Sequence, residues 1–216
     1  MLSSSTLKII AMLSMLIDHI AATGLIFKLY EGSAAMQIYF CMRMIGRLAF
    51  PIYIFLIVEG FVHTKDIKKY IIRMVLFAII AEVPFDMAFS YSYLSMDYQN
   101  VMWTLLICVV MLYFIRKYPK FSLLTIIISC AAATLIKCDY YFIGPLAAAC
   151  IYLLRERKIY RNLSIAVIFS FEPAAILSLI PINMYNEKKG INVKYFFYAF
   201  YPLHLLLLTY IRNVLL

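Results

Sequence analysis

The chain has 216 residues, of which 65% are hydrophobic and 14% are charged. Soluble domains average about 45–50% apolar and about 25% charged residues, so this composition excludes an ordinary soluble domain and indicates an integral membrane protein. The net charge of +9 would also suit a nucleic-acid partner. The basic residues cluster between apolar runs, as orienting charges do, so we predict a lipid bilayer as partner and no nucleic acid.

Long apolar runs without alternation follow one another from end to end of the sequence. A barrel strand would alternate in polarity, whereas a spanning helix needs about 20 apolar residues. We therefore predict an all-α fold, a polytopic transmembrane helical bundle of about eight spans, as a single domain over residues 1–216. The runs are 7–27, 45–63, 71–89, 101–115, 121–136, 142–154, 162–181 and 195–214.

Basic residues near the ends of these runs predict the orientation. With eight spans, most of the 20 Lys and Arg residues fall on one side, which predicts a multi-pass protein of the bacterial cytoplasmic (inner) membrane with both termini in the cytoplasm. Lys28 falls on the outer side and Arg212 on the cytoplasmic side. Three central runs are short for a core about 30 Å thick, so six or seven crossings are an alternative. Segment 28–44 lies along the outer interface or extends the second span.

Polar residues stand deep in the first and last runs. Asp18 and His19 lie near the middle of the first run, and Tyr201 and His204 lie in "FYPLH" of the last. A charged side chain at a span centre costs about 2.5–3.5 kcal/mol, so such residues are functional candidates. Neighbours on a helix point about 100° apart, so Asp18 and His19 are expected to contact different groups. His19 is favoured as a functional residue because its charge changes near neutral pH.

Two pairs of ionisable residues share helix faces at a spacing of four residues. These pairs are Glu59 with His63, and Glu82 with Asp86. The two carboxylates would suit a proton or cation site, whereas His63 would also serve as a cap for helix carbonyls. The five cysteines form no CxxC and no ligand spacing with His, so the sequence predicts neither a metal site nor a disulfide.

Structural roles are the alternative for several of these residues. Arg47 with Glu59, or Arg73 with Glu82, would form buried ion pairs that fix helix register. Glu172 precedes a proline that frees a backbone carbonyl, so a structural hydrogen bond by Glu172 is at least as well supported as a functional role.

Five stretches of the sequence resemble the TraX family, membrane acetyltransferases named for the amino-terminal acetylation of conjugative pilin. TraX proteins in turn look like small relatives of the multispan acyltransferases that move acetyl groups from cytoplasmic acetyl-CoA to cell-surface sugars. The stretches are "LKIIAMLSMLIDHI", "GRLAFPIYIFLIVEGFVHT", "PFD", "NVMWTLL" and "YPLHLLLL".

The resemblance implies transfer of an acetyl group from acetyl-CoA to the amine or hydroxyl of a peptide or sugar acceptor. We expect His19 to act as general base, with His63 or His204 as alternatives. The carboxylate that orients its ring would be Asp18, Glu59, Glu82 or Asp86. Candidate residues for the substrate and the developing oxyanion are Arg47, Glu82, Asp86, Asn100 and Tyr201.

Several basic residues are candidates for holding acetyl-CoA. The larger relatives often carry an Arg and a His with ten residues between them, and Lys8 and His19 have that spacing here. Lys keeps the charge of Arg but lacks its bidentate fork. Lys65, Lys69 and Arg73 would attract the phosphates of CoA, although topology alone also explains them.

Two other classes of function fit the composition. A proton- or cation-coupled transporter would also use buried Asp, Glu and His residues, but the sequence shows no corresponding interrupted segments in two halves. A non-catalytic assembly scaffold would bind a partner without needing His19.

Overall fold

The computed structural model describes residues 1–191 and 194–215, and the regular structure in these residues is helical. Within these ranges the β-type pairings are two isolated bridges, Leu2 with Tyr185 and Gln99 with Cys138. The prediction of an all-α fold is therefore confirmed. The helices are α1 Ser4–Ala22, α2 Leu25–Leu29, α3 Gly32–Gly46, α4 Ala49–His63, α5 Ile67–Phe89, α6 Val101–Lys117, α7 Ser122–Leu135, α8 Ile143–Leu153, α9 Lys158–Ile168, α10 Pro173–Ile176, α11 Leu179–Asn183 and α12 Lys194–Tyr210.

Two segments among the described residues are long and apolar enough to cross a membrane, judged by length and composition. They are α1, and the stretch Gly32–His63 that contains α3 and α4. Segment 28–44 therefore mostly extends the second apolar run. The run 162–181 is divided among α9, α10 and α11, of 11, 4 and 5 residues, each shorter than the roughly 20 that a spanning helix needs. The count of eight spans stays a prediction.

The chain forms two compact units, each built from separated segments. The first unit comprises Met1–Tyr53, Val83–Leu94 and Glu172–Leu216, and the second comprises Ile54–Glu82 and Ser95–Phe171. Helices α4 and α5 each contribute residues to both units. The single-domain organisation stays a prediction, and the two units are described separately below.

In the first unit, α1 and α3 pack antiparallel and very closely. The Ser14 hydroxyl donates a hydrogen bond to the carbonyl of Ile45 at 2.5 Å, and the side chain of Asp18 lies directly against Gly46. A Cβ atom at Gly46 would collide with Asp18, so only glycine permits this approach. Small residues bring membrane helices together in this way because their backbones can approach without obstruction.

Helices α1 and α12 run parallel within the first unit. At their amino-terminal ends, Lys8 Nζ lies 5.4 Å from the ring centroid of Phe197. Near the other end, the Arg212 guanidinium is 3.5 Å from the carbonyl of Thr23, and Lys28 Nζ donates to the Arg212 carbonyl at 2.7 Å. Two parallel helices that both cross a membrane place their starts on one side and their ends on the other. The prediction that Lys28 and Arg212 lie on opposite sides is wrong, because the two residues are in contact. The location of both termini in the cytoplasm stays a prediction.

Arg212 closes the ends of two helices in the first unit. Its Nη1 donates to the carbonyl of Ala88 at 2.6 Å and its Nη2 to that of Met87 at 2.9 Å, both in the last turn of α5. The same guanidinium reaches Thr23 at the end of α1 and lies 4.3 Å from the Tyr91 ring centroid. Carbonyls at a helix end have no partner within their helix and carry partial negative charge, so a buried guanidinium stabilises them.

In the second unit, α6 packs against α7 and α8, and α8 packs against α9. Asn100 begins α6 because its Oδ1 accepts a hydrogen bond from the Met102 backbone N–H at 2.9 Å. Its Nδ2 donates to the Ala78 carbonyl of α5 at 2.9 Å. This side chain therefore caps one helix and attaches it to another.

Candidate active site

The first unit brings His19 of α1 and His204 of α12 together. His19 Nδ1 lies 2.7 Å from His204 Nε2, although 185 residues separate them in sequence. The ring centroids are 5.0 Å apart and the planes differ by 6°. That centroid distance is close to the hydrogen-bond length plus the two ring radii. The imidazoles therefore lie edge to edge in one plane, which is the geometry of a linear hydrogen bond rather than of face-to-face stacking.

A backbone carbonyl determines which ring nitrogens carry protons. His204 Nδ1 lies 2.7 Å from the carbonyl oxygen of Phe200, one turn earlier in α12. A carbonyl only accepts, so His204 Nδ1 must be the donor, and in the neutral ring His204 Nε2 is the acceptor. His19 Nδ1 therefore donates to it, and the lone pair of the neutral His19 ring is on Nε2. We call this chain, from the Phe200 carbonyl through His204 to His19, the histidine relay.

Aromatic side chains surround the relay. The Phe89 ring meets His19 edge-on with centroids 5.4 Å apart, and the Tyr201 ring lies 6.1 Å from it. His204 is only 5% exposed, and Tyr201 is also buried. Electrostatic interactions are stronger in such apolar surroundings than in water, so the orientation of the two imidazoles is well determined.

Asp18 and Arg47 form ion pairs of their own in the first unit. Arg43 Nη1 lies 2.5 Å from Asp18 Oδ2, so Asp18 and His19 do contact different groups, as predicted. The hypothesis that Asp18 orients the His19 ring is wrong, because His204 occupies His19 Nδ1. Arg47 Nη1 lies 3.1 Å from Glu172 Oε1, which replaces the predicted pairing of Arg47 with Glu59. Glu172 is therefore an ion-pair partner of Arg47, and its hydrogen bond near the following proline stays a prediction.

Glu59 and His63 belong to the second unit. Glu59 pairs with Arg155, whose Nε lies 2.8 Å from Oε1 and whose Nη2 lies 3.4 Å from Oε2. His63 Nδ1 donates to the Glu59 carbonyl at 2.8 Å and lies 3.8 Å from its carboxylate. The predicted shared face is confirmed. The contact of His63 with a carbonyl near the end of α4 is the capping arrangement that the sequence left open.

Glu82 and Asn100 also lie in the second unit, in a hydrogen-bonded cluster. Glu82 Oε2 accepts from Asn100 Nδ2 at 2.5 Å and from the indole N–H of Trp103 at 2.6 Å. These contacts attach α5 to α6. Asp86 lies four residues further along α5, in the first unit, and is fully buried. The alternative pairing of Arg73 with Glu82 is not seen among the described residues, where the Arg73 guanidinium carbon lies 6.0 Å from the Tyr70 ring centroid.

The basic residues predicted to hold the donor are dispersed. Lys8 lies over Phe197 in the first unit, whereas Lys65 and Lys69 are exposed at the start of α5 in the second. Asp66 accepts from the Lys69 backbone N–H at 3.0 Å, and Lys69 Nζ lies 3.3 Å from its other oxygen. The hydrogen bond from the Lys69 backbone holds the pKa of Asp66 below its usual value.

Several residues of these sites were not identified from the sequence. The Phe200 carbonyl carries no side-chain signal at all. Arg43 is the ion-pair partner of Asp18, 25 residues before it, and nothing in the sequence indicates this pairing. Trp103 was part of the "NVMWTLL" stretch, and a lone indole in an apolar run is a signal for a hydrogen-bond acceptor nearby.

The fold and the relay define an all-helical, strongly apolar protein with a polar site between its first and last helices. The family model described as TraX protein matches residues 3–212, and the chain belongs to the TraX family. It is also similar to the probable fimbrial assembly protein FimC, serogroup H1, of Dichelobacter nodosus, with 30% identity over 236 residues that cover 95% of this chain and 94% of the relative. No solved structure matches the chain.

Proposed function

We propose that the protein is a membrane-embedded acyltransferase that moves an acetyl group from acetyl-CoA to an amine or hydroxyl acceptor. Family membership and a relative named for fimbrial assembly favour a role connected with pili. The acceptor would then be a pilin-like peptide amino terminus, with a cell-envelope sugar as the alternative. The observation that carries this proposal is the histidine relay, because it presents an unprotonated imidazole nitrogen inside an apolar helix pair.

A position in the bacterial inner membrane, with several crossings, is part of the proposal. The outer surface of α7 supports it, since large apolar side chains recur there with helical spacing and are mostly exposed. Soluble monomers rarely expose such continuous apolar surface, whereas a lipid-facing helix requires it. The exposed residues of α7 are Leu123, Leu124, Ile127, Ile128 and Leu135. Because α1 and α12 run parallel, a chain in which both cross the membrane crosses it an odd number of times. We therefore propose seven crossings, the odd number in the range of six to eight that the sequence predicts.

The relay supplies the proton transfers of the reaction. His19 Nε2 takes a proton from the acceptor amine or hydroxyl as that atom forms a bond to the acetyl carbonyl carbon. Its Nδ1–H then strengthens its hydrogen bond to His204 Nε2, which stabilises the imidazolium. When the carbon–sulfur bond breaks, His19 returns the proton to the departing thiolate. The products are the acetylated acceptor and CoA with a free thiol.

Two groups of the first unit are proposed to stabilise the oxyanion. Tyr201 has a hydroxyl donor on the ring beside His19, and Arg47 carries the planar, multiply donating guanidinium group in the same unit, 3.1 Å from Glu172. Donors of this kind lower the barrier when they point at the charge that develops on the carbonyl oxygen. Acetyl-CoA supplies the activated thioester as substrate. We propose, from their charge, that acetyl-CoA is held by basic residues, namely Lys8, Lys65, Lys69 and Arg73.

The test is acetyl transfer by protein purified in detergent. Wild type, His19→Ala and His63→Ala would each be incubated with radiolabelled acetyl-CoA and a membrane extract, and the label located. We expect wild type and His63→Ala to label an acceptor, and His19→Ala to lose about 10²- to 10⁴-fold in rate, as for a general base. The melting temperature of each variant shows whether it is folded.

Two outcomes would contradict the proposal. A folded His19→Ala variant with full activity would remove His19 from the mechanism, and loss in His63→Ala alone would move the base to the second unit. Wild-type protein that neither transfers acetyl nor is stabilised against heat by acetyl-CoA would favour the transporter instead, since a ligand that binds the native state must raise its melting temperature.

A further inference from the structure

The loop between α11 and α12 is tied to the start of α1 by backbone hydrogen bonds, all within the first unit. The Leu2 N–H donates to the Met184 carbonyl at 2.7 Å, and the Asn186 N–H donates to the Leu2 carbonyl at 2.9 Å. These two bonds form the parallel bridge of Leu2 with Tyr185. We call the contacts between residues 2–5 and 184–191 the loop clamp.

The loop clamp also provides partners for the first turn of α1. The Ser4 N–H donates to the Lys188 carbonyl at 2.8 Å, and the Ser5 N–H donates to the Lys189 carbonyl at 3.2 Å. The first N–H groups of a helix have no partner within the helix, so these loop carbonyls act as a cap. In the other direction, the Ile191 N–H donates to Ser5 Oγ at 3.0 Å. These directional bonds fix the height of the loop along α1.

Gly190 brings the loop so close to α1 that a side chain has no room. Its φ is +70°, a left-handed conformation that is costly for a residue with a Cβ atom. A Cβ atom at this position would also collide with the hydroxyl oxygens of Ser3 and Ser5. Any larger residue must therefore move the loop away from the start of α1.

The loop clamp and the histidine relay have nearly the same register between α1 and α12. The partners of the hydrogen bond from Ile191 are 186 residues apart in sequence, and His19 and His204 are 185 residues apart. Because the two helices run parallel, the two contacts belong to one alignment of α12 along α1. A slip of one helical turn, about 5.4 Å, would bring Phe200 or Leu208 opposite His19, and neither side chain can accept a hydrogen bond.

The other attachments between α1 and α12 define this alignment less sharply. Apolar side chains select one height only weakly in lipid, because the lipid tails are as apolar as they are. At the far end, the Arg212 guanidinium reaches the Thr23 carbonyl at 3.5 Å. A long side chain of this kind can follow a small shift by changing its rotamer, whereas the backbone hydrogen bonds of the loop clamp would break.

We infer that the loop clamp positions His204 for the histidine relay by fixing the height of α12 along α1. Gly190 and Ser5 are then positioning residues, which act through His204, since His19 lies about 21 Å along α1 from Ser5. A displacement of about 1 Å at a reacting group can lower a rate about 10²-fold, so a distant contact can control the site. The effect on rate rests on the proposed acyltransferase function, whereas the effect on the relay does not.

The experiment compares alanine at two left-handed glycines of the first unit. Gly190→Ala adds both the backbone strain and the collision with α1. Gly32→Ala, at a φ of +65°, adds the strain alone, because nothing lies within 4 Å of its new Cβ atom. Ser5→Ala removes the acceptor of the Ile191 N–H without adding bulk, and it provides the test if Gly190→Ala does not fold.

Three quantities are measured for each variant. The first is the ¹⁵N–¹⁵N scalar coupling across the hydrogen bond between His19 Nδ1 and His204 Nε2, which exists only while that bond is formed. The others are the rate of acetyl transfer and the melting temperature. We expect Gly190→Ala to lose the coupling and about 10²-fold in rate. Gly32→Ala should keep both, and Ser5→Ala should weaken both.

Several results would overturn the inference. These are a coupling that persists in folded Gly190→Ala, an equal loss in Gly32→Ala, an unchanged coupling in Ser5→Ala, and the absence of the coupling from the wild type. The proposed function fails separately. A wild type that shows the coupling, loses it in Gly190→Ala and transfers no acetyl group would support the positioning role and contradict the acyltransferase.

Discussion

Replacing His204 by leucine tests the histidine relay most directly. The change keeps an apolar side chain of similar volume at a buried position but removes the acceptor that lies 2.7 Å from His19 Nδ1. A buried donor without an acceptor costs about 1–3 kcal/mol, and the His19 ring can avoid that cost by moving its proton or turning. Either response disturbs the base, so we expect a rate of acetyl transfer about 5- to 150-fold lower.

His204→Gln is the matched control for this prediction. The glutamine side-chain oxygen can accept from His19 Nδ1 much as Nε2 does, so this variant should recover most of the rate. Imidazole ¹⁵N chemical shifts provide a readout that does not require catalysis. They should report neutral His19 protonated at Nδ1 in wild type and in His204→Gln, and a changed proton distribution in His204→Leu.

The relay would be refuted by either of two results. Neutral His19 protonated at Nε2 in the wild-type protein would place its lone pair on the nitrogen that faces His204, which is incompatible with a base on the other side. Equal rates in His204→Leu and wild type, with both folded, would show that His204 does not position His19.

Three further predictions concern the first unit. Gly46→Ala should lower the melting temperature by roughly 2–12 °C, the range for overpacking a tight contact. Gly60→Ala should change it less, because the new Cβ meets only the Tyr70 side chain, with the hydroxyl nearest at 3.1 Å. Asp18→Gly in the same chain should abolish the effect of Gly46→Ala, and additive losses would contradict the close approach of α1 and α3. Arg212→Met should lower the melting temperature by a similar amount, because the buried carbonyls at the ends of α1 and α5 lose their donor. Lys120→Met, which removes an exposed cation, should leave the melting temperature unchanged. Equal shifts in the two variants would argue against the role of Arg212 at these helix ends. Epitopes fused before α1 and after α12 should be digested from opposite sides of sealed membranes, and digestion of both from one side would refute the parallel arrangement.

Local patterns in the sequence predicted local structure well. Neighbouring residues on a helix point about 100° apart, and this predicted that Asp18 and His19 contact different groups. The spacing of four residues predicted that Glu59 and His63 share a helix face. Composition and the absence of alternation were enough for the all-α fold. These features depend on the period of a helix, which is the same in any surroundings.

Partners from distant parts of the chain could not be predicted in the same way. The sequence predicts that a carboxylate orients the His19 ring and offers three candidates outside α1. Nothing in the spacing of these residues indicates that His204, a neutral histidine, lies against His19 Nδ1 instead. Arg155 is the ion-pair partner of Glu59, and the sequence cannot show this because ion pairing between distant residues depends on which helices meet. The assignment of Lys28 and Arg212 to opposite sides failed for a related reason, since charge counts assume that every apolar run crosses, and run 162–181 is divided into short helices.

The hydrogen bond between His19 and His204 also has a consequence for biosynthesis. At about 5–20 residues per second, the ribosome needs roughly 10–40 s to make the 185 residues that separate the two. Throughout that interval the nascent first helix holds an imidazole without its eventual partner, and Asp18 waits a shorter time for Arg43. A chain interrupted before His204 would therefore keep a polar group of its first helix without its partner.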